Sequence, residues 1–397
     1  MKTERLVCGS LVVPGPDAPP IEGGAVLIKN GKIAAVDTKS RLLSSVAPEE
    51  VFDCGAHVLI PGMIDCHNHL SLDCALDNYL ERMKDSESEL TLRAVRTLRV
   101  DLESGVTTSR YMGDKYFLDV AVKTAVEEGR IAGPRPLIAT RGIRAGHGHG
   151  FVGHGCDGTE SIRKMVRENI KAGADLIKFY VTGTFPDKGR IACYYSRAEI
   201  EVFVEEAERV GLPTAVHCIG GRGLELCVAA CVGSIEHGYF ISDNEIELLQ
   251  KSRTRLVVTP SEFLSDKPTL SPSRAAAFRA ERDTVRERLR AVVQSGVFFA
   301  AGTDGMHGRL AEEAKHIVDA GASPADAFRA VTTNAAVVCG LDTMVGSLEV
   351  GKAADIVAVE GNPIEDIDAL GRVKLVIKGG EIAFDKIAID EADPLRR

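Results

Sequence analysis

Six side chains of types that hold metal ions stand at or near the ends of short apolar segments of the sequence. They are His67, His69, Lys178, His217, His237 and Asp304. Imidazole nitrogens and carboxylate oxygens bind divalent metals directly, and a lysine can become a ligand once its amine is modified. His67 and His69 follow the apolar run "LIPGMIDC", and on a β-strand two residues at this spacing point to the same face. The six residues predict a metal site, provided that the fold brings them together.

Each of these residues also fits an ordinary structural role when it is taken alone. A His-x-His pair suits an exposed strand, and single interior histidines are commonly hydrogen-bonded core residues. Asp304 in "AAGTDG" also fits a turn or a helix cap, because aspartate beside glycine is common there. Their shared position at the ends of predicted strands favours the metal site, because independent structural roles would not collect them there.

Lys178 lies inside "ADLIKFYV", a run of the kind that is buried on both faces in a parallel sheet. Burial disfavours the ammonium form and lowers the pKa of a lysine, so the site must supply an anion or hold a neutral amine. The alternative is a residue at the frayed end of the strand whose ammonium reaches solvent.

The elements that must position these residues are strands alternating with helices. Eight apolar runs, "MIDCH", "VTTSRYM", "RPLIAT", "DLIKFYV", "PTAVHC", "GSIEHG", "RLVVTP" and "VFFAAGTDG", are separated by amphipathic segments. Eight such alternations over about 240 residues predict an α/β fold, a (β/α)8 TIM barrel. In such a barrel the C-terminal ends of the strands meet at one mouth, which would gather the six side chains.

The two ends of the chain read as β-structure. Short alternating strands fill the first 60 residues, with Asn30-Gly31 as a hairpin turn, and strands return after a helix that begins at the N-cap Ser323. We predict a small β-sandwich domain formed from both chain ends. Its N-terminal part is 1–60, its C-terminal part is 343–397, and the barrel occupies 61–342.

Composition narrows the class of protein. The chain has 397 residues, a net charge of −9 and 45% hydrophobic residues. The sequence has no stripe of basic residues of the kind that binds nucleic acid, and no apolar run is long enough to span a membrane. We find no export signal. Ten cysteines without a CxxC pair fit a reducing cytoplasm. We expect a cytoplasmic enzyme with a small-molecule substrate and neither a nucleic-acid nor a membrane partner.

Several motifs together resemble those of the amidohydrolase superfamily. They are "PGMIDCHNHL", Lys178, "VHC", "IEHG", "GTDG" and the closing "GSLEVGKAADIVAVEGNP". The resemblance covers nearly the whole chain, and the order and spacing of the motifs are more specific than any one of them. "AGADLIKFYVTG" and "GSIEHG" are most similar to the imidazolonepropionase-like branch, which includes prolidase-like dipeptidases and carboxypeptidases.

This resemblance implies a binuclear metal-dependent hydrolase that cleaves an amide bond through a metal-bridging hydroxide. It assigns His67 and His69 to one divalent metal, His217 and His237 to a second, and a carboxylated Lys178 to the bridge between them. Asp304 would bind the first metal and transfer the proton. Zinc is the expected metal, with manganese, iron or cobalt as the other options. The expected substrate is a dipeptide or an N-acyl amino acid, and a homo-oligomer is expected from the resemblance alone.

Substrate contacts are predicted from the loops. His147 is the best match to a family histidine that contacts the substrate carbonyl, and His149 and His154 lie in the same glycine-rich loop. Arg222 would bind a carboxylate of the substrate, or it would begin the next helix and lie at the protein surface. Tyr195 and Tyr239 are further candidates for the substrate pocket, and so is Tyr194. The loop between the third and fourth strands is shorter than is usual in the dipeptidase branch, which leaves specificity open.

Three other functions stay open at this stage. A cyclic amide of the imidazolone or hydantoin type is the second substrate class. A mononuclear deaminase would use the same barrel. Such enzymes usually have a glutamate three residues after the fifth-strand histidine, and that position is Gly220 here. A non-catalytic barrel scaffold would have lost its ligands, whereas all six positions are intact. Metal content distinguishes a binuclear hydrolase, a mononuclear deaminase and a scaffold.

Overall fold

The computed structural model of the chain describes residues 4–150 and 153–388. The outermost residues of the two predicted end segments, 1–3 and 389–397, lie outside this description. The strands preceding the first barrel strand are β1 (Glu4–Cys8), β2 (Leu11–Val12), β3 (Ile21–Glu22), β4 (Gly24–Lys29), β5 (Lys32–Thr38), β6 (Val51–Asp53) and β7 (Val58–Pro61).

Parallel strands form the centre of the molecule. They are β8 (Met63–Asn68), β9 (Val106–Tyr111), β10 (Arg135–Ile138), the two-residue strands β11 (Ile143–Arg144) and β12 (His154–Gly155), β13 (Ile177–Tyr180), β14 (Thr214–Cys218), β15 (Ser234–His237), β16 (Arg255–Val258) and β17 (Phe299–Ala301). Most of their residues are buried, as expected of a parallel sheet that is covered on both faces.

The parallel strands follow one another around a ring. Strands β8, β9 and β10 pair in chain order, and so do β13 to β17. The two groups meet where Asp175 N donates to Ile138 O at 2.8 Å, and again where Asp304 N donates to His67 O at 2.8 Å. Gly302 is required at the second junction, because a Cβ there would lie 2.4 Å from His67 N. The arrangement is consistent with the predicted TIM barrel.

Helices separate the strands. They are α1 (Lys39–Leu42), α2 (Tyr79–Arg82), α3 (Glu87–Glu103), α4 (Leu118–Glu127), α5 (Thr159–Ala172), α6 (Arg197–Glu208), α7 (Arg222–Ala229), α8 (Asp243–Gln250), α9 (Ser261–Leu264), α10 (Pro272–Ser295), α11 (Leu310–Asp319), α12 (Pro324–Ala330) and α13 (Thr333–Val338). Ser86 and Ser196 cap α3 and α6 in capping boxes, and the predicted cap of α12 is confirmed because Ser323 accepts from Asp326 N. Within the described residues, every helix falls short of what crossing a membrane would require in length and apolar character.

The chain ends contribute two further sheets. The strands after the barrel are β18 (Ile356–Val359), β19 (Val373–Lys378) and β20 (Glu381–Asp385). One sheet has the order β5-β4-β1-β6, and the other has the order β20-β19-β18-β7-β2-β3. The second sheet therefore joins strands from both chain ends. The Asn30-Gly31 hairpin connects β4 to β5, and both residues have positive φ values, 52° and 74°.

Asp355 joins the end sheets to the barrel. Its side chain is buried, and one carboxylate oxygen lies 2.7 Å from Arg135 Nη1 at the start of β10. The other accepts from Gly379 N at 2.8 Å in the turn between β19 and β20. The Asp355 carbonyl also accepts from Gly62 N at 2.9 Å. One residue thus fixes the position of the mixed sheet against two barrel strands.

We predict that Asp355→Ala destabilises the protein by about 2–4 kcal/mol, because it leaves Arg135 half-buried without its anion. Asp17→Ala removes the exposed partner of Arg329 and should cost less than about 1 kcal/mol. Urea denaturation of both variants measures the difference. Equal losses in the two variants would show that Asp355 does not connect the sheets to the barrel energetically.

Candidate metal centre

The six residues selected from the sequence line one cavity at the C-terminal ends of the barrel strands. The cavity and its open mouth together enclose about 630 Å³ of empty space. The ligand atoms of His67, His237 and Asp304 all lie within 4.8 Å of one another. Residues separated by more than 200 positions are therefore close enough to share an ion.

His67 and His69 are held by their Nδ1 atoms. His67 Nδ1 lies 2.7 Å from a carboxylate oxygen of Glu236, and His69 Nδ1 donates to Gly113 O at 2.7 Å. A neutral imidazole with its proton on Nδ1 has a lone pair on Nε2. Both Nε2 atoms face Asp304 Oδ1, at 3.3 and 3.4 Å. The two rings are therefore oriented as metal ligands would be.

His217 and His237 complete the group of imidazoles. His217 Nε2 donates to Gly183 O at 3.1 Å, which leaves its Nδ1 for a ligand. His237 Nδ1 lies 2.8 Å from Thr259 Oγ1, which leaves its Nε2. Their ring centroids are 4.5 Å apart, and that of His237 is 4.6 Å from His67. Burial lowers the pKa of both rings well below the usual value, so both are neutral and able to bind a cation.

A buried ion pair lies beneath His67. One carboxylate oxygen of Glu236 accepts a hydrogen bond from Arg110 Nη2 at 2.9 Å, and the other lies next to His67 Nδ1. Burial raises the pKa of Glu236, but the Arg110 guanidinium and His67 outweigh it and bring the pKa to about 2. A carboxylate that accepts from the outer nitrogen of a ligand histidine fixes the ring and increases its basicity.

Lys178 is fully buried and points into the same cavity. Its Nζ lies 3.5 Å from His67 Nε2 and 4.9 Å from the centroid of the Tyr180 ring. Burial lowers its pKa to about 8, partly opposed by the carboxylates of Glu236 and Asp304. The amine is therefore closer to its neutral, nucleophilic form than an exposed lysine is. The frayed-end alternative is excluded, because the ammonium does not reach solvent.

Asp304 and His237 both adopt the left-handed region of backbone conformation, with φ of 51° and 83°. Such values cost energy in residues other than glycine and concentrate at functional sites. Asp65 supports this turn, since it accepts from His67 N at 3.0 Å and from Thr303 Oγ1 at 2.6 Å. Burial raises the pKa of Asp304, but the neighbouring histidines outweigh it and hold the carboxylate charged.

The loop histidines are placed differently from the prediction. His147 is exposed and packs against Tyr194, with ring centroids 5.4 Å apart, and it does not line the cavity. His149 lines the cavity, and its ring centroid lies 4.6 Å from that of His217. Burial lowers the pKa of His149 to about 4. The repeated Gly-His-Gly pattern allowed either register, and the fold selects the second histidine. His154 is also exposed.

Two other predicted contacts do not reach the cavity. Arg222 opens α7 at the surface, where it pairs with Glu225 at 2.8 Å. Tyr195 is buried in the core, where its hydroxyl donates to Cys156 O at 2.9 Å. Tyr239 does line the cavity, and its hydroxyl lies 3.1 Å from His237 Nδ1 and 2.6 Å from Thr259 Oγ1. Its contacts orient His237.

Sequence reasoning missed residues of two kinds. Glu236 and Arg110 are charges inside apolar strand runs, the same signal that singled out Lys178. Tyr79, Glu262 and Arg274 line the cavity from loops and helix starts, where no strand pattern marks them. Glu262 pairs with the buried Lys267 on this wall.

Comparison with known proteins identifies the family of the chain. A model of the amidohydrolase family matches residues 58–383. The chain is 28% identical to ochratoxinase of Aspergillus niger, over 95% of this chain and 86% of that protein. It is 27% identical to imidazolonepropionase of Symbiobacterium thermophilum, over 93% and 92%. A crystal structure of a Xaa-Pro dipeptidase with bound methionine in the active site superposes with a TM-score of 0.85 at 26% identity, covering 96% of this chain and 99% of that one.

We predict that Glu236→Gln weakens divalent-metal affinity by about 10- to 100-fold, because it removes the anion that orients His67. Competition with a chelator, followed by metal analysis of the protein, measures the change. Glu247→Gln, at an exposed glutamate paired with Lys251, is the matched control and should retain the parental affinity. Unchanged metal retention in Glu236→Gln would show that His67 needs no such partner.

Proposed function

The chain belongs to the amidohydrolase family and is a hydrolase of carbon–nitrogen bonds, and we propose that it cleaves the amide bond of a dipeptide or an N-acyl amino acid at a pair of divalent metals. The observation that carries this proposal is the orientation of the four histidines. Each commits one ring nitrogen to a partner outside the cluster. The Nε2 atoms of His67 and His69 lie 3.3 and 3.4 Å from Asp304 Oδ1, and Lys178 Nζ lies 3.5 Å from His67 Nε2. The ochratoxinase and Xaa-Pro dipeptidase names of similar proteins support the substrate class.

The donor set fits divalent metals. Imidazole nitrogens and a charged carboxylate are the ligands that zinc and its neighbours in the first transition row prefer. We assign His67, His69 and Asp304 to one ion and His217 and His237 to the second, with Lys178 between them. Such ions supply an activated water and a polarised carbonyl. Zinc is the metal that we expect.

The residues of the chain supply proton transfer and positioning. Asp304 stays charged at neutral pH and faces the cavity, so it is suited to accept a proton and pass it to the leaving nitrogen. His149 takes the role that the sequence had suggested for His147. Its neutral ring can donate an N–H to the substrate carbonyl oxygen from the cavity wall, beside His217.

Lys178 is proposed to be carboxylated. Its lowered pKa favours the neutral amine, which can add to carbon dioxide with loss of a proton. The product is an anion, which two cations would stabilise where an ammonium would be repelled. No nearby carboxylate makes a hydrogen-bonded pair with the amine among the contacts of the described residues.

Arg274 is the residue that we assign to the substrate carboxylate in place of Arg222. It stands in the first turn of α10 and lines the cavity together with Tyr79 and Glu262. Its guanidinium carbon lies 5.8 Å from the centroid of the Phe278 ring, which restricts the side chain. A guanidinium suits a carboxylate because its fork matches both oxygens.

The organisation predicted from the sequence is retained as part of this proposal. An apolar cluster that includes Val26 and Ile28 of one end sheet and Ile356 and Leu375 of the other supports a β-sandwich domain built from 1–60 and 343–397. All ten cysteines are free thiols, which supports a cytoplasmic location. We also retain the homo-oligomer, which rests on resemblance.

The proposed reaction is tested with zinc- or manganese-loaded protein on dipeptides, N-acyl amino acids and cyclic ureides. The expected result is release of a free amino acid from the first two classes, which chromatography detects. Turnover of cyclic compounds alone would replace the proposal with a cyclic amidase. Release of ammonia alone from aminated heterocycles, with one metal per chain, would replace it with a deaminase.

Lys178→Ala should lower kcat by at least about 100-fold, because it removes a side chain that would hold the metal ions. Short carboxylic acids such as formate should partly restore the rate. The control is Lys378→Ala, at a lysine that donates to Gly133 O at 2.6 Å, outside the residues lining the cavity. Parental rates in Lys178→Ala would remove this residue from the reaction centre.

For Arg274→Met we expect KM for substrates with a free carboxylate to rise by about 10- to 100-fold, the value of a charged hydrogen bond. The corresponding substrate amides, which lack that charge, should show a much smaller change. Arg222→Met is the matched control, because Arg222 lies at the surface, and it should behave like the parent. A larger rise in KM in Arg222→Met than in Arg274→Met would instead assign the substrate carboxylate to Arg222.

A further inference from the structure

Cys66 and Cys339 bring two thiols together behind the strand that carries His67. Their Sγ atoms lie 3.9 Å apart. Cys66 stands in β8 directly before His67, whereas Cys339 follows the last residue of α13. Sulfur atoms in a disulfide are about 2.05 Å apart, so an approach of about 2 Å would join them.

An oxidant can reach this pair without entering the substrate cavity. Cys339 is half-buried and lines an open cavity with Arg110, Leu176 and Pro213. Leu176 and Pro213 precede β13 and β14, so this cavity opens at the N-terminal ends of the barrel strands. The candidate metal ligands stand at the opposite ends. Cys66 itself is fully buried, so Cys339 is the thiol that meets the oxidant first.

The surroundings of Cys339 favour reaction and movement. The contact with the Cys66 sulfur lowers the pKa of Cys339, and Arg110 acts in the same direction against the effect of burial. Thiolate is the form that reacts with peroxide. The chain turns directly afterwards at Gly340, which has a φ of 67° and open space where a Cβ would be. Among the described residues, no neighbouring atom at the Cβ position of Gly340 therefore opposes a small movement of Cys339.

We propose that Cys66 and Cys339 are a redox modification site that peroxide converts to a disulfide, and that this disulfide lowers the hydrolytic activity. The Cys339 thiolate attacks one peroxide oxygen, the O–O bond breaks, and the departing hydroxide takes up a proton to form water. The Cys66 sulfur then attacks the sulfenic sulfur, and the S–O bond breaks. The hydroxyl leaves as water with the Cys66 proton. Two thiols and one peroxide thus give one disulfide and two waters.

The effect on activity follows from what Cys66 holds. Its carbonyl oxygen accepts from Arg110 Nε at 2.6 Å, and Arg110 also binds Glu236, the partner of His67. A displaced Cys66 would disturb both the backbone of His67 and the ion pair beneath it. This second half of the proposal rests on the proposed function, whereas the disulfide itself does not.

The test uses the full metal-loaded chain treated with hydrogen peroxide, then with an alkylating reagent, and digested without reduction. The expected result is a linked peptide pair containing residues 66 and 339, with a mass loss of two hydrogen atoms. Activity should fall by about 10-fold and return after a dithiol reductant. Because peptide mapping needs no substrate, its result is independent of whether the proposed amide hydrolysis is found.

Cys339→Ser should form no link and keep its activity after the same treatment. Cys231→Ser, which removes an exposed thiol, is the control and should respond like the parent. Absence of the linked peptides, or oxidation of Cys339 to a sulfinic acid instead, would overturn the site. Linked peptides with unchanged activity, or equal inhibition of Cys339→Ser, would overturn its effect on the reaction.

Discussion

A buried neutral imidazole has two ring nitrogens and one proton, and this constraint organises the candidate metal centre. Each of the four histidines commits one nitrogen to a partner outside the cluster: Glu236, Gly113 O, Thr259 or Gly183 O. The second ring nitrogen of each histidine is then left for a ligand in the cavity. Because the four partners come from different strands and loops, the site exists only while the strands of the barrel keep their register.

The charges in the barrel interior follow from the same constraint. Glu236 is a buried carboxylate, which would be costly alone, and Arg110, from a strand on the opposite side of the ring, neutralises it. Asp304 then faces Lys178 and the imidazoles with its charge retained. The cluster collects imidazoles and one carboxylate around a cavity, which favours cations inside it.

The walls of the cavity have a different origin from its floor. The floor is built from strand ends, whose positions are fixed by backbone hydrogen bonds between neighbours. The walls come from loops and helix starts, which supply His149, Glu262 and Arg274. This division is usual in parallel barrels, where the strands hold the reacting groups and the loops select the substrate. It explains why the chemistry is easier to assign than the substrate.

By itself, the sequence determined the eight strand runs, the hairpin at Asn30-Gly31, the cap at Ser323 and the six residues of the cavity floor. These depend on local periodicity and on polar residues within apolar runs, which are visible without coordinates. Only the tertiary structure decided that His149 lines the cavity while His147 does not, that Arg222 and Tyr195 lie elsewhere, and that Cys66 meets Cys339. Loop register and contacts between distant segments depend on how side chains pack across the chain, and no local pattern encodes that packing.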